Sequence, residues 1–189
     1  LIALDIDGTI RSLDHPLTDR TLSAINAARG MGAIVTIATG RMFKSAISST
    51  TELNLKSPII SFQGAHIADP ESGEVLWHQP LTKNMTLDAL NSLHGWKGDI
   101  VSYHGEQVFV SKVTPWVKAY SERNRGGLVV VSDLKEMASR NPTRIVAVGE
   151  DSAVEDLTKR LNEQFESKLH VTRSLPQFCE ILHPEGGKH

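Results

Sequence analysis

Apolar and polar positions follow two different rhythms along this chain. The first opens with Leu1-Ile2-Ala3-Leu4, an unbroken apolar run closed by Asp5-Ile6-Asp7-Gly8-Thr9. A short run bounded by a turn signal predicts a buried strand of the parallel-sheet kind. Thr18 is a good helix N-cap, Leu22, Ile25 and Ala28 share one helical face, and Gly30 and Gly32 end that helix. Residues 33–38 form a second apolar run. Strand, helix and strand within this length make a βαβ unit, so the sheet is expected to be parallel. Phe43, Ile47 and Leu53 mark a second helix, and residues 58–62 a third strand ending in Gln63-Gly64-Ala65. Residues 65–68 and 74–77, separated by Asp69-Pro70-Glu71-Ser72-Gly73, predict a hairpin.

The second rhythm begins near Leu81. Met85, Leu87, Leu90 and Leu93 predict a helix that stops near Gly95. Residues 100–103 and 107–111 alternate around His104-Gly105-Glu106, a second hairpin. Trp116, Val117 and Tyr120 mark another helix, and Val154, Leu157, Leu161 and Phe165 give a clear helical stripe. Residues 128–131, 144–148, 169–172 and 178–182 read as strands. Hairpins interleaved with helices predict an antiparallel or mixed sheet covered on one face. The chain therefore divides into a parallel α/β part over residues 1–80 and an α+β part over 81–183.

Length and charge narrow the function. At 189 residues the chain holds one medium domain or two small ones. A net charge of −2 with no basic block gives no footprint for nucleic acid. No spanning apolar run or signal-peptide pattern is present, so no membrane partner is expected. The single cysteine, Cys179, excludes an internal disulfide, fits a reducing cytoplasm, and reads as a buried thiol. Nothing in the sequence speaks to oligomeric state.

The chemistry lies at strand ends. In open α/β sheets ligands bind outside the carboxyl ends of the strands, where Asp5 and Asp7 stand. Two residues apart on extended backbone, these carboxylates project to the same side. Such a pair is tolerated if a cation lies between them, if one is protonated, or if both face water. Asp-Gly alone is a common turn pair; the whole string is more specific. The second strand ends in Thr39-Gly40-Arg41. Its hydroxyl can bond a phosphate oxygen and its glycine allows close backbone approach, although Thr is equally a helix cap.

Asp5-Ile6-Asp7-Gly8-Thr9 resembles the first motif of the haloacid dehalogenase (HAD) superfamily of phosphatases, and Thr39-Gly40-Arg41 resembles the second. The element order resembles the Cof-type subfamily, whose large α/β cap is inserted in a Rossmann-like core. The resemblance covers essentially the whole chain and implies an α/β fold with a partial HAD core, an inserted α+β cap, and a short return to the core over 184–189. It implies a Mg2+-dependent hydrolase acting through an aspartyl-phosphate on small phosphorylated metabolites, with sugar phosphates the default class. Asp5 would be the nucleophile and Asp7 the acid/base, with Mg2+ held by both. Thr9 would help position the loop; Thr39, Gly40, Arg41 and Gly8 would surround the phosphate. Lys188 falls where the family's charge-neutralising lysine stands, though a solvated terminal lysine fits the same place. Where Cof-type members carry Asn before Gly-Ala, this chain has Gln63. The family's acidic Gly-Asp-x-x-x-Asp motif and further core strands are expected after His189, and a few residues before Leu1. Without those strands the sheet is expected to expose an apolar edge. His104, Trp116, Arg123 and Arg125 are possible substrate contacts in the cap. Two rival functions fit the same motifs: a phosphotransferase or mutase, and a non-catalytic module that binds phosphorylated metabolites.

Overall fold

A computed structural model describes residues 1–12, 16–124 and 127–187. Contacts divide the chain into two compact units, Leu1–His78 and Gln79–Gly187.

In the first unit, β1 (Ile2–Leu4) pairs in parallel with β2 (Val35–Ile37), with Ile2 opposite Val35 and Leu4 opposite Ile37. The connecting helix α1 (Asp19–Gly30) starts at Thr18, whose hydroxyl accepts from the Thr21 amide. Gly32, at φ +88°, turns the chain back toward β2. After β2 comes α2 (Phe43–Glu52), then β3 (Ile59–Ser61), which a parallel bridge from Ile60 to Ala38 sets beside β2. Beyond β3 the sheet direction reverses. Strands β4 (His66–Ala68) and β5 (Val75–His78) continue it antiparallel, joined by a turn in which Asp69 caps the amides of Glu71 and Ser72. Ile6, Val35, Ile37, Ala46, Leu53 and Ile59 form the core. Among the described residues β1 pairs only with β2, and Leu1 and Ile34 beside it are 86% and 60% exposed.

The second unit holds α3 (Lys83–Ser92), β6 (Asp99–His104), β7 (Gln107–Val110), α4 (Pro115–Asn124) and β8 (Gly127–Val130). β9 (Arg144–Val148), α5 (Asp151–Phe165), β10 (His170–Leu175) and β11 (Phe178–Leu182) follow. The six strands make one mixed sheet in the order β10-β11-β9-β6-β7-β8, with β8 parallel to β7 and the other pairs antiparallel. The α5 stripe of Val154, Leu157, Leu161 and Phe165 packs with Ala89 and Leu90 of α3, and with Leu93 just after it, against Ile145, Ala147, Cys179 and Ile181 of the sheet.

One expectation needs correction here. The sheet is not covered on one face only. Phe178 and Glu180 alternate with Cys179 and Ile181, so they face the other way. Trp116 and Tyr120 of α4 pack edge-on against Phe178, and Tyr103 donates to the Tyr120 hydroxyl at 2.8 Å. Also, a 3-10 segment (Leu134–Arg140) that the apolar spacing did not signal precedes β9, capped by the Asp133 carboxylate on the Lys135 amide.

The second face contains a buried ion pair. Arg144 and Glu180, 4% and 2% exposed, meet at 2.6 Å, and the guanidinium lies 4.4 Å from the centre of the Tyr103 ring. Ser174 donates to the other Glu180 oxygen. Burial works against the Arg144 charge, but Glu180, followed by the two tyrosines, holds the guanidinium above its ordinary value.

Candidate functional site

Three loops of the first unit meet where β1, β2 and β3 end. The first follows β1. Gly8, at φ +82°, allows a tight turn in which the Gly8 amide donates to the Arg11 carbonyl at 2.8 Å and the Arg11 amide returns to Ile6. Arg11 fastens this loop to α2 through Glu52 at 2.9 Å and Ser49 at 2.5 Å. Ile6 is fully buried between Asp5 and Asp7, so alternation turns both carboxylates away from the core. Asp5 is half-buried; Asp7 and Thr9 are exposed.

The second loop follows β2. Thr39 is buried, and its hydroxyl accepts from the Arg41 amide at 3.2 Å. Arg41 reaches back across 34 positions and forks Asp7, with Nε to Oδ2 at 2.7 Å and Nη2 to Oδ1 at 2.6 Å. Two parallel charge-assisted bonds fix both side chains. The hydrogen bond to Asp7 raises the Arg41 pKa, burial opposes this, and the charges of Asp7 and Asp5 add to the rise. Parallel pairing of β1 with β2 brings these two loops to the same sheet end, so Asp5, Asp7, Thr39, Gly40 and Arg41 are neighbours. Arg41, expected beside the phosphate, here holds the carboxylate expected to move protons.

The third loop was the least visible in the sequence. Phe62 and Gln63 both adopt left-handed backbone, at φ +50° and +58°, followed by Gly64 at +107°. The Phe62 amide donates to the Arg41 carbonyl at 2.9 Å and the Gln63 amide to the Thr39 carbonyl at 3.1 Å. Ser61 and His66, opposite each other in β3 and β4, close the turn with an Oγ–Nδ1 bond of 2.9 Å. His66 also packs against Phe43, Phe62 and His78.

Burial, and secondarily the charge of His78, lower the His66 pKa to about 4. The unfolded chain therefore binds this proton first as pH falls. The stability His66 contributes is complete above its ordinary pKa of about 6.5 and is lost between there and about 4. Allowing for part exposure, the expected loss is about 1–2 kcal/mol. Urea unfolding at about pH 7 and about pH 4.5 checks this: His66→Gln should lose less stability over that interval than the parent. Equal losses would contradict it.

Of the other expected contacts, Lys188 and Arg125 lie outside the described residues, and Arg123 lies in α4. Trp116 stacks on Tyr120, and His104 packs on Phe109 with its Nε2 bonded to Ser102. Both are accounted for by packing within the second unit.

Hard carboxylate oxygens suit Mg2+, which proteins hold through one or two carboxylates together with water and substrate phosphate. Asp5 fits such a donor set. Both Asp7 side-chain oxygens already accept from Arg41, and the residue also offers its main-chain oxygen as a donor. Among the described residues, no cluster of three or more His, Cys, Asp or Glu side chains is assembled. No described helix is long and apolar enough to cross a membrane.

Comparison with known proteins gives a consistent family. The sequence profile of the haloacid dehalogenase-like hydrolases matches residues 2–189. The HMP-PP phosphatase of Enterobacter sp. (strain 638) is 27% identical over 182 residues, 96% of this chain and 66% of that protein. The 5-amino-6-(5-phospho-D-ribitylamino)uracil phosphatase YitU of Bacillus subtilis (strain 168) is 25% identical over 177 residues, 86% of this chain and 61% of its own length. The chain thus spans a little under two thirds of the length of these relatives. Among solved structures, a haloacid dehalogenase-like hydrolase from Bacteroides thetaiotaomicron matches with a TM-score of 0.79 at 20% identity, covering 99% of this chain and 72% of that one. A HAD subclass IIB sugar phosphatase matches with a TM-score of 0.75 at 21% identity, covering 100% and 72%. These structures support the α/β fold. With the profile match over nearly its whole length, the chain belongs to the haloacid dehalogenase-like hydrolase family.

Proposed function

We propose that the protein is a phosphomonoester hydrolase acting on small phosphorylated metabolites, sugar phosphates among them. The observation that carries this reading is the shared sheet end where Asp5, Asp7, Thr39 and Arg41 lie together, with Arg41 forked on Asp7. That arrangement supplies a nucleophile, a proton carrier, a hydroxyl donor and a guanidinium within one turn of chain from each strand.

Asp5 is the nucleophile: its carboxylate attacks phosphorus in line and forms an aspartyl-phosphate, the alcohol leaving from the opposite side. Asp7 gives that oxygen its proton, then takes one from the water that hydrolyses the acyl phosphate. Arg41 occupies both Asp7 side-chain oxygens. The substrate phosphate offers Arg41 the same two-oxygen fork, so binding draws Arg41 away and opens the Asp7 oxygens to the leaving group. Thr39 donates its hydroxyl to a phosphoryl oxygen, and Gly8 and Gly40 leave room for the phosphate against the backbone. Lys188 adds positive charge. Asp5 and the Asp7 main-chain oxygen would hold Mg2+, which when bound would offset negative charge on the phosphoryl group. A free buried thiol at Cys179 fits a cytoplasmic setting.

The test is Mg2+-dependent phosphate release from a panel of phosphate esters, repeated with acceptor sugars. Release to water supports a hydrolase, whereas transfer to sugar would replace it with a phosphotransferase. Within that assay Arg41→Lys keeps the charge but loses the fork. One charge-assisted bond lost corresponds to about a tenfold fall in kcat/KM. Unchanged kcat/KM would remove Arg41 from the scheme.

A further inference from the structure

We propose that Gln63 is a positioning residue of the phosphate loop, its left-handed backbone and its carboxamide together holding Thr39–Arg41 in the shape that receives a phosphate. The inference rests on the phosphatase reading above and assigns the third loop a part in it.

Two consecutive residues bearing a Cβ in left-handed backbone are uncommon, and Gln is poorly suited to that region compared with Gly or Asn. Such strain persists only where surrounding structure enforces it, and it gathers at functional sites. Here the geometry points both amides of the turn at the phosphate loop. Phe62 binds the Arg41 carbonyl and Gln63 the Thr39 carbonyl, on either side of Gly40. The side chain completes the contact. A Cβ at Gly40 would overlap Nε2 and Cδ of Gln63, so the carboxamide occupies the space beside the Gly40 Cα. The Ser61–His66 bond closes the turn behind it. The chain is thus held on either side of Gly40 by a main-chain bond, and at Gly40 by a side chain. Rotation of the Gly40 peptide would carry the Thr39 hydroxyl and the Arg41 fork out of place, and misplacement of about 1 Å costs on the order of a hundredfold in rate. If only the backbone shape mattered, glycine at 63 would provide it without strain.

That contrast supplies the test. Gln63→Gly relieves the backbone and removes the amide. In the full-length natural protein it should raise Tm by about 2–4 °C while lowering kcat about 10–100-fold and weakening inhibition by inorganic phosphate. Stability and activity moving in opposite directions is a result that a merely structural role would not give. A glycine variant with parental kcat and phosphate inhibition would overturn the proposal. Gly40→Ala offers an independent check. It should lower kcat with Gln63 present, by displacing the carboxamide, and lower it no further with glycine at 63, because the overlap is with that side chain. An equal penalty in both backgrounds would also overturn it. The parent protein separates this inference from the one beneath it. No Mg2+-dependent phosphate release and no shift of its Gly40 amide resonance with inorganic phosphate would defeat the phosphatase reading and the role of Gln63 together. A parent that releases phosphate, beside a glycine variant that does so equally fast, would defeat the role of Gln63 alone.

Discussion

Replacing Asp5 with asparagine is expected to abolish turnover while leaving the fold intact. The exchange is nearly isosteric, and Asp5 is half-buried at a strand end, where its side chain is turned away from the core. Thermal unfolding should therefore shift little. The chemical consequence is large because an amide neither attacks phosphorus nor binds a hard cation well. Loss of a covalent nucleophile typically costs about a thousandfold or more. A variant that retained a tenth of parental kcat would mean that water or another group attacks, and Asp5 would be reduced to a metal ligand.

Removing one partner of the buried pair in the second unit should have the largest effect on stability. Arg144 and Glu180 lie on neighbouring strands, β9 and β11, with both side chains almost wholly out of solvent. Taking these charges from water is costly, and their attraction, the Tyr103 ring and Ser174 offset that cost. Glu180→Ala leaves a guanidinium buried without its carboxylate, so a loss of about 3–5 kcal/mol is expected. For a chain of this size that is a fall in Tm on the order of 10 °C. The double replacement Arg144→Met with Glu180→Leu, which removes both charges, should recover most of the loss. Denaturant unfolding of the three variants decides the matter. A single variant within about 1 kcal/mol of the parent would show that water already reaches the pair.

Local signals in the sequence and pairings between distant segments were not equally legible. The strand into Asp5-Ile6-Asp7, the cap at Thr18 and the α5 stripe are visible because each depends on a few adjacent residues and one periodicity. Thr39-Gly40-Arg41 could be placed at a strand end for the same reason. What Arg41 touches could not be read. Its partner is 34 positions away, and only the parallel register of β1 with β2 brings Asp7 within reach. The left-handed turn at Phe62 and Gln63 had no local signal, since both residue types ordinarily avoid that backbone. The hydrogen bonds that enforce it come from another loop. In the second unit, Trp116, Val117 and Tyr120 gave a helical face but not the surface it covers. Strands rich in apolar residues hid an Arg and a Glu that satisfy each other only once β9 and β11 are paired.

In the proposed mechanism Asp5 carries the phosphoryl group between two half-reactions. The most direct measurement is acid-quench trapping during turnover of a phosphate ester, followed by mass analysis of the peptide spanning residues 1–11. The expected result is one added phosphoryl group on Asp5 in the parent protein, absent without Mg2+ and absent in Asp5→Asn. A parent protein that turns over with no trapped phosphoryl group, or an Asp5→Asn variant that still becomes labelled, would contradict it.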